Sequence, residues 1–194
     1  MAWAVIDLET TIASLHGRPG SPFHPDNWVV MAGWCTKDDP VPHGVRLPQA
    51  SSYEELGELF VGLLGQTRWL VGVNIKFDLL HILRDPIAYS EWQAWVAAGG
   101  LVWDCQQVEY LLEGQDQNSH MLSLNELALR YDEDTKVDEV KVLWEAGVDT
   151  PDIDPDLLAR YLLGETMPNG LRREGDIGNT RNIFLKQLAK VKQR

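Results

Sequence analysis

The chain opens with an apolar run at residues 4–6 that leads directly into two acidic residues, Asp7 and Glu9. This run predicts a strand over residues 2–8. Because side chains alternate along a strand, residues two apart share a face, and the two carboxylates lie side by side. Neighbouring carboxylates repel each other, and burying them costs further free energy. The pair therefore predicts a cation at the end of this strand, held together with ligands from elsewhere in the chain.

Two more β-type runs follow, at residues 28–35 and 40–48, and the prolines around the second place it near an edge of a sheet. Strands at residues 69–73 and 101–103 then alternate with helices. Helices are predicted after Ser51, over residues 77–83, after Asp104, after Ser123, and over residues 136–146, 155–163 and 176–190. This order indicates an α/β fold, a mixed sheet with helices packed on it and a mainly helical C-terminal half. The pattern does not give the order of the strands.

The composition and charge of the chain limit the classes of function that it can have. The 194 residues, 44% hydrophobic and 24% charged, predict one domain over residues 1–194 without an internal linker. No apolar run is long enough to span a bilayer and no signal peptide opens the chain, so we expect a cytoplasmic protein with two reduced cysteines. The net charge of −12 argues against a protein that holds a long nucleic-acid duplex by neutralising its phosphates. An enzyme that grips a few nucleotides through metal ions stays compatible with that charge.

Three further acidic residues are candidates to complete the metal site. Asp78 follows a predicted strand at the first turn of a helix, and Asp176 begins the last predicted helix. Asp104 is better explained as the N-cap of the helix that follows it. Hard oxygen donors without a His/Cys cluster suit Mg²⁺ or Mn²⁺ rather than zinc. Two such ions, about 3.5–4 Å apart, would clamp the attacking and leaving oxygens of a phosphodiester.

These motifs resemble a known family. The segments Asp7-Leu8-Glu9-Thr10-Thr11, Val71-Gly72-Val73-Asn74 with Phe77-Asp78, and the late Asp176 are similar to the three exonuclease motifs of the DEDD 3′→5′ exonuclease superfamily. Residues 102–105 and 123–128 are similar to the proofreading domains of family A DNA polymerases, particularly phage ones. The resemblance spans nearly the whole chain and implies a ribonuclease H-like, five-stranded mixed sheet.

The resemblance also implies an activity and a set of roles. Asp7, Glu9, Asp78 and Asp176 would be catalytic ligands of two Mg²⁺ or Mn²⁺ ions. The substrate would be the 3′ end of single-stranded DNA, and the products nucleoside 5′-monophosphates. Candidate substrate contacts are Thr10, Asn74 and Phe77. The chain leaves no room for a polymerase, so we expect a separate proofreading-type exonuclease of phage replication, in the host cytoplasm, that meets a DNA polymerase or another replication protein.

The third motif departs from the family pattern. The family has a Tyr four residues before its last Asp, or a His five before it, and here Arg172 and Leu171 occupy those positions. If residues 165–175 are an insertion that loops out, Tyr161 can take the water-orienting role; otherwise Tyr161 is an ordinary half-buried aromatic residue. Two alternatives stay open: an RNA 3′-end exonuclease, and a non-catalytic or weakly active module that binds nucleic acid or a polymerase.

Overall fold

The computed structural model describes residues 2–114, 119–133 and 138–193. The strands of its main sheet are β1 (Trp3–Thr10), β2 (Val29–Thr36), β3 (His43–Arg46), β4 (Trp69–Gly72) and β5 (Leu101–Asp104). They lie in the order β3-β2-β1-β4-β5. The pairs β1–β2 and β2–β3 are antiparallel, whereas β1–β4 and β4–β5 are parallel. The predicted mixed sheet is confirmed, with β3 at an edge and β1 in the centre.

Helices cover the sheet and dominate the second half of the chain. They are α1 (Ser52–Leu64), α2 (Lys76–Ile82), α3 (Pro86–Ala97), α4 (Cys105–Leu112), α5 (Leu124–Arg130), α6 (Asp138–Glu145), α7 (Pro155–Leu163) and α8 (Asp176–Gln193). A short hairpin of β6 (Gly164–Thr166) and β7 (Arg172–Glu174) lies between α7 and α8. Across the described ranges, no helix has the length and apolar character needed to cross a membrane.

Most predicted helices are confirmed, with informative differences. Ser123 makes a capping box with Glu126 at the start of α5, as its sequence predicts. Ser51 stands at the N-cap position of α1 without a side-chain cap bond and instead donates to Glu55. The predicted helix at residues 136–146 starts outside the described residues, and its described part is α6. Helix α3 and the β6–β7 hairpin were not predicted.

Strand β1 separates two apolar layers. Ile6 and Leu8 belong to the core on the side of α1 and α2, whereas Val5 belongs to the core on the side of α7 and α8. Side-chain alternation continues this division, so Asp7 and Glu9 share the face of Val5. The two acidic side chains therefore point towards the layer that contains the start of α8.

A glycine of β2 lets the C-terminal helices approach this face. Gly33 is the register partner of Asp7. A Cβ atom at Gly33 would lie 2.8 Å from Cγ of Leu162 and 3.0 Å from Cγ1 of Ile177. No side chain fits there without displacing the side chains of Leu162 and Ile177. The close approach places Ile177, and with it the first turn of α8, beside the carboxylate end of β1.

Candidate metal centre

Three carboxylates meet where β1 ends and α8 begins. One oxygen from each of Asp7, Glu9 and Asp176 lies within 4.8 Å of the other two. Glu9 and Asp176 are buried, and Asp7 is half-buried. A compact group of carboxylate oxygens is the ligand set that Mg²⁺ and Mn²⁺ prefer. Asp176 is far from Asp7 and Glu9 along the chain, and the fold brings all three into one cluster that can hold a metal ion.

Asp78 borders this cluster from α2. Pairing between β1 and β4 ends at Val5 and Val71, and further along β1 the Leu8 N–H donates to Oδ1 of Asp78 at 3.1 Å. Asp78 is 2% exposed, and burial, reinforced by the charges of Asp7 and Glu9, raises its pKa well above the usual range for aspartate. Its carboxylate is not within the three-residue group. Its hydrogen bond to Leu8, the residue between Asp7 and Glu9, nevertheless places Asp78 beside the cluster.

Asp104 has a structural role, as its sequence context indicated. It is the N-cap of α4, and its Oδ1 accepts hydrogen bonds from the N–H groups of Gln106 at 2.9 Å and Asn74 at 3.2 Å. The second bond fixes the turn between β4 and α2. Asp104 thus helps to place α2, which carries Asp78, without joining the metal cluster.

The candidate substrate contacts divide into two groups. Thr10 and Phe77 line a cleft of about 190 Å³ that also includes Glu9 of the cluster and Trp144. Asn74 lies in the turn before α2 with a left-handed backbone (φ 54°) and an exposed side chain. Its carbonyl accepts the N–H of Phe77 at 2.9 Å. The cleft adjoins the metal cluster directly, whereas Asn74 orients the first turn of the helix that carries Phe77.

One wall of the cleft is the loop before β2, which lies against α2. Gly20 has a φ of 65°, and a Cβ atom there would lie 2.9 Å from Oγ1 of Thr10, so both the backbone and the close approach favour glycine. The Gly20 carbonyl accepts a hydrogen bond from Nε2 of His81 at 3.0 Å. Burial lowers the pKa of His81 to about 4, so the ring is neutral at pH 7. His81 was not a predicted site residue, because nothing in its sequence context connects it with this loop.

Trp144 also lines the cleft, and it was not a predicted site residue either. Its indole Nε1 donates to Oγ1 of Thr150 at 3.0 Å, and that hydroxyl donates to the carbonyl of Thr10. Tyr161 packs edge-on against the Trp144 ring, with 5.6 Å between ring centroids and an interplanar angle of 86°. Tyr161 is 7% exposed. The predicted water-orienting residue therefore packs directly behind a wall of the cleft.

The segment between Tyr161 and Asp176 loops out, as the insertion hypothesis required. Gly164 pairs with Glu174 in the β6–β7 hairpin, so the end of α7 and the start of α8 are neighbours. A Cβ atom at Gly175 would lie 2.4 Å from the Gly164 nitrogen. The hairpin returns the chain to its starting point and delivers Asp176 close to the end of the helix that carries Tyr161.

No protein-family model matches the chain, and no curated protein matches it. Its function is therefore inferred from the residues of the site and from the fold that places them.

Proposed function

We propose that the protein is a metal-dependent 3′→5′ exonuclease of the DEDD superfamily, with a ribonuclease H-like fold, that hydrolyses single-stranded DNA ends to nucleoside 5′-monophosphates. The observation that carries this proposal is the convergence of Asp7, Glu9 and Asp176, with Asp78 beside them. These are the four acidic residues that match the motifs of the DEDD family in the sequence.

The four carboxylates have distinct parts in this proposal. Asp7, Glu9 and Asp176 would hold two Mg²⁺ or Mn²⁺ ions, with Asp78 adding its charge from the side of α2. Such ions supply an activated water and stabilise the negative charge that develops on the phosphate. Without a cation, burial and the neighbouring charge of Asp7 oppose ionisation of Asp78. This electrostatic cost favours a divalent cation over a purely structural acidic cluster.

The cleft beside the cluster supports a nucleotide as the ligand. Phe77 and Trp144 contribute aromatic surface, and Glu9 connects the cleft to the metal ligands. Aromatic side chains bind unpaired bases by stacking, without requiring a particular sequence. A cleft of about 190 Å³ suits one terminal base rather than a duplex. The net charge of −12 also disfavours an extended grip on duplex phosphates.

A role in phage DNA replication follows from the same resemblance. A proofreading exonuclease that is separate from its polymerase needs delivery to a primer end. We therefore propose a DNA polymerase or another replication protein as a partner.

Two alternative functions are compatible with the same fold. An exonuclease that trims RNA 3′ ends would use the same acidic site. A non-catalytic module that binds nucleic acid or a polymerase is favoured by one observation: Arg172 and Leu171 occupy the positions where the family has Tyr or His. The contact between Tyr161 and Trp144 favours the enzyme, because it places a tyrosine next to the cleft.

Side-by-side digestion of DNA and RNA separates these functions. Single-stranded DNA and RNA oligonucleotides of one sequence, labelled at the 5′ end, are incubated with the protein and Mn²⁺. We expect progressive shortening of the DNA and much slower shortening of the RNA. The opposite preference would replace the DNA assignment by RNA trimming. Binding without shortening of either strand would favour the non-catalytic module.

Tyr161→Phe tests the water-orienting role. The substitution removes one hydroxyl and keeps the ring that packs on Trp144. We expect kcat for single-stranded DNA to fall about 10- to 100-fold, as when an outer-shell partner of a metal site is removed. Tyr131→Phe is the matched control, because its hydroxyl is also buried but donates to Glu109, away from the cluster. An unchanged rate with normal Mn²⁺ binding would leave Tyr161 as a packing residue.

A further inference from the structure

The β6–β7 hairpin joins two helices that both contribute to the site. Gly164 has a φ of 84° and a ψ of −179°, a backbone conformation that is essentially restricted to glycine. A Cβ atom at Gly164 would lie 2.3 Å from the Arg173 carbonyl oxygen. At the tip, the Met167 N–H donates to the Leu171 carbonyl at 2.8 Å. The backbone of the hairpin therefore has one defined conformation, which runs from the end of α7 to the residue before Asp176.

A charged side chain of the hairpin then folds over the first turn of α8. Oε1 of Glu174 accepts a hydrogen bond from Nη2 of Arg181 at 3.0 Å. The glutamate lies so close to Gly178 that a Cβ there would be 2.0 Å from Oε2. Glu174 and Arg181 thus hold the first turn of α8 between them, with Asp176 inside that turn.

The same arginine anchors this turn to the main sheet. Nη1 of Arg181 donates to the Pro40 carbonyl, in the connection between β2 and β3. The side chains of Arg181 and Glu174 are only 15% and 16% exposed. Partial burial and two directional contacts of Arg181 make this pair stronger than a fully exposed ion pair. The start of α8 is therefore fixed both to the hairpin and to the sheet.

We propose that the pair Glu174–Arg181 is a positioning clamp that holds Asp176 in the geometry required for metal binding, an inference that rests on the proposed function. Asp7 and Glu9 are fixed by the central strand β1, so their separation is set by the sheet. Asp176 lies at a helix terminus, where chains fray. Because metal affinity depends on the placement of every ligand, a clamp at this terminus controls affinity without touching the ion.

Two substitutions test the clamp. Glu174→Gln keeps the size of the side chain and removes its charge, and Arg181→Gln removes the opposite partner. Each variant is expected to weaken Mn²⁺ binding by about tenfold or more, measured as free Mn²⁺ by electron paramagnetic resonance. Arg181→Lys, which keeps the positive charge, is expected to recover part of the affinity. The loss of affinity in the double variant is expected to be smaller than the two single losses combined, because both substitutions remove the shared Glu174–Arg181 contact, although each also removes a contact of its own, to Arg172 or to Pro40.

Lys186→Gln is the matched control. It breaks an ion pair between α8 and Glu133, further along the helix from Asp176, with the same loss of positive charge. We expect its Mn²⁺ affinity to equal that of the wild-type protein. If Glu174→Gln and Arg181→Gln are folded and bind Mn²⁺ as tightly as the wild-type protein, the positioning role of this pair is wrong. If Arg181→Gln fails to fold, the Mn²⁺ affinity of Glu174→Gln alone tests that role. If Asp7→Asn also binds Mn²⁺ as the wild type does, the proposed metal site itself is wrong.

Discussion

Asp7→Asn is expected to abolish nuclease activity while the protein stays folded. The substitution keeps the shape of the side chain and removes one of the three charges that meet in the cluster. Removing a single electrostatic contributor from an active site typically costs about 10²–10³-fold in kcat, and a metal ligand should cost at least as much. The measurement is the initial rate of shortening of a 5′-labelled single strand in Mn²⁺.

The same substitution should make the metal-free protein more stable. The charge of Asp7 is the largest electrostatic contribution to the raised pKa of Asp78, after burial. Losing it relieves repulsion inside the fold, so we expect a higher Tm without metal. Asp38→Asn, at an exposed position, is the control and should change neither the nuclease activity nor the Tm of the metal-free protein. A stable Asp7→Asn variant with wild-type activity would remove Asp7 from the reaction, and a loss of stability would indicate a structural role instead.

Divalent metal is expected to stabilise the protein strongly, and more so as the pH rises. The pKa of Asp78 is raised above its ordinary value of 3.8, so the folded protein binds a proton that the unfolded chain has released. Stability of the metal-free protein therefore falls as the pH increases from about 3.8 through the raised pKa. A bound cation removes this penalty, because it favours the ionised carboxylates.

The size of this effect follows from the linkage between binding and folding. A metal concentration 100-fold above Kd stabilises a folded protein by about 2.7 kcal/mol. For a chain of this length that corresponds to a Tm increase of roughly 5–10 °C. The increase in Tm caused by Mn²⁺, and its dependence on pH, are measured by thermal unfolding with and without Mn²⁺ between about pH 5 and pH 8. A Tm increase that is independent of pH, or equal in Asp7→Asn, would contradict binding at this cluster.

Local signals predicted several elements well. The bounds of α7 agree with the structure because Pro155 begins its first turn and Gly164 ends it. The shared face of Asp7 and Glu9 followed from strand alternation alone. The capping role of Asp104 followed from its position before a helix. In each case the physical cause lies within a few residues of the feature.

Features set by tertiary contacts could not be predicted in this way. Helix α3 buries only Ala88 and exposes apolar residues such as Ile87 and Val96, so it lacks the periodicity that identifies a surface helix. The meeting of Asp176 with Asp7 depends on Gly33 of another strand. The cleft residues Trp144 and His81 are placed by contacts with Thr150 and Gly20. No local spacing encodes such contacts.

Shortening of a 5′-labelled single-stranded DNA in Mn²⁺, with the wild-type protein and Asp7→Asn compared at equal concentration, tests the central claim most directly. We predict a ladder of products shortened from the 3′ end, together with nucleoside 5′-monophosphates, for the wild-type protein alone. An intact strand with the wild-type protein, or the same ladder with Asp7→Asn, would contradict a metal-dependent 3′→5′ exonuclease built on Asp7, Glu9, Asp78 and Asp176.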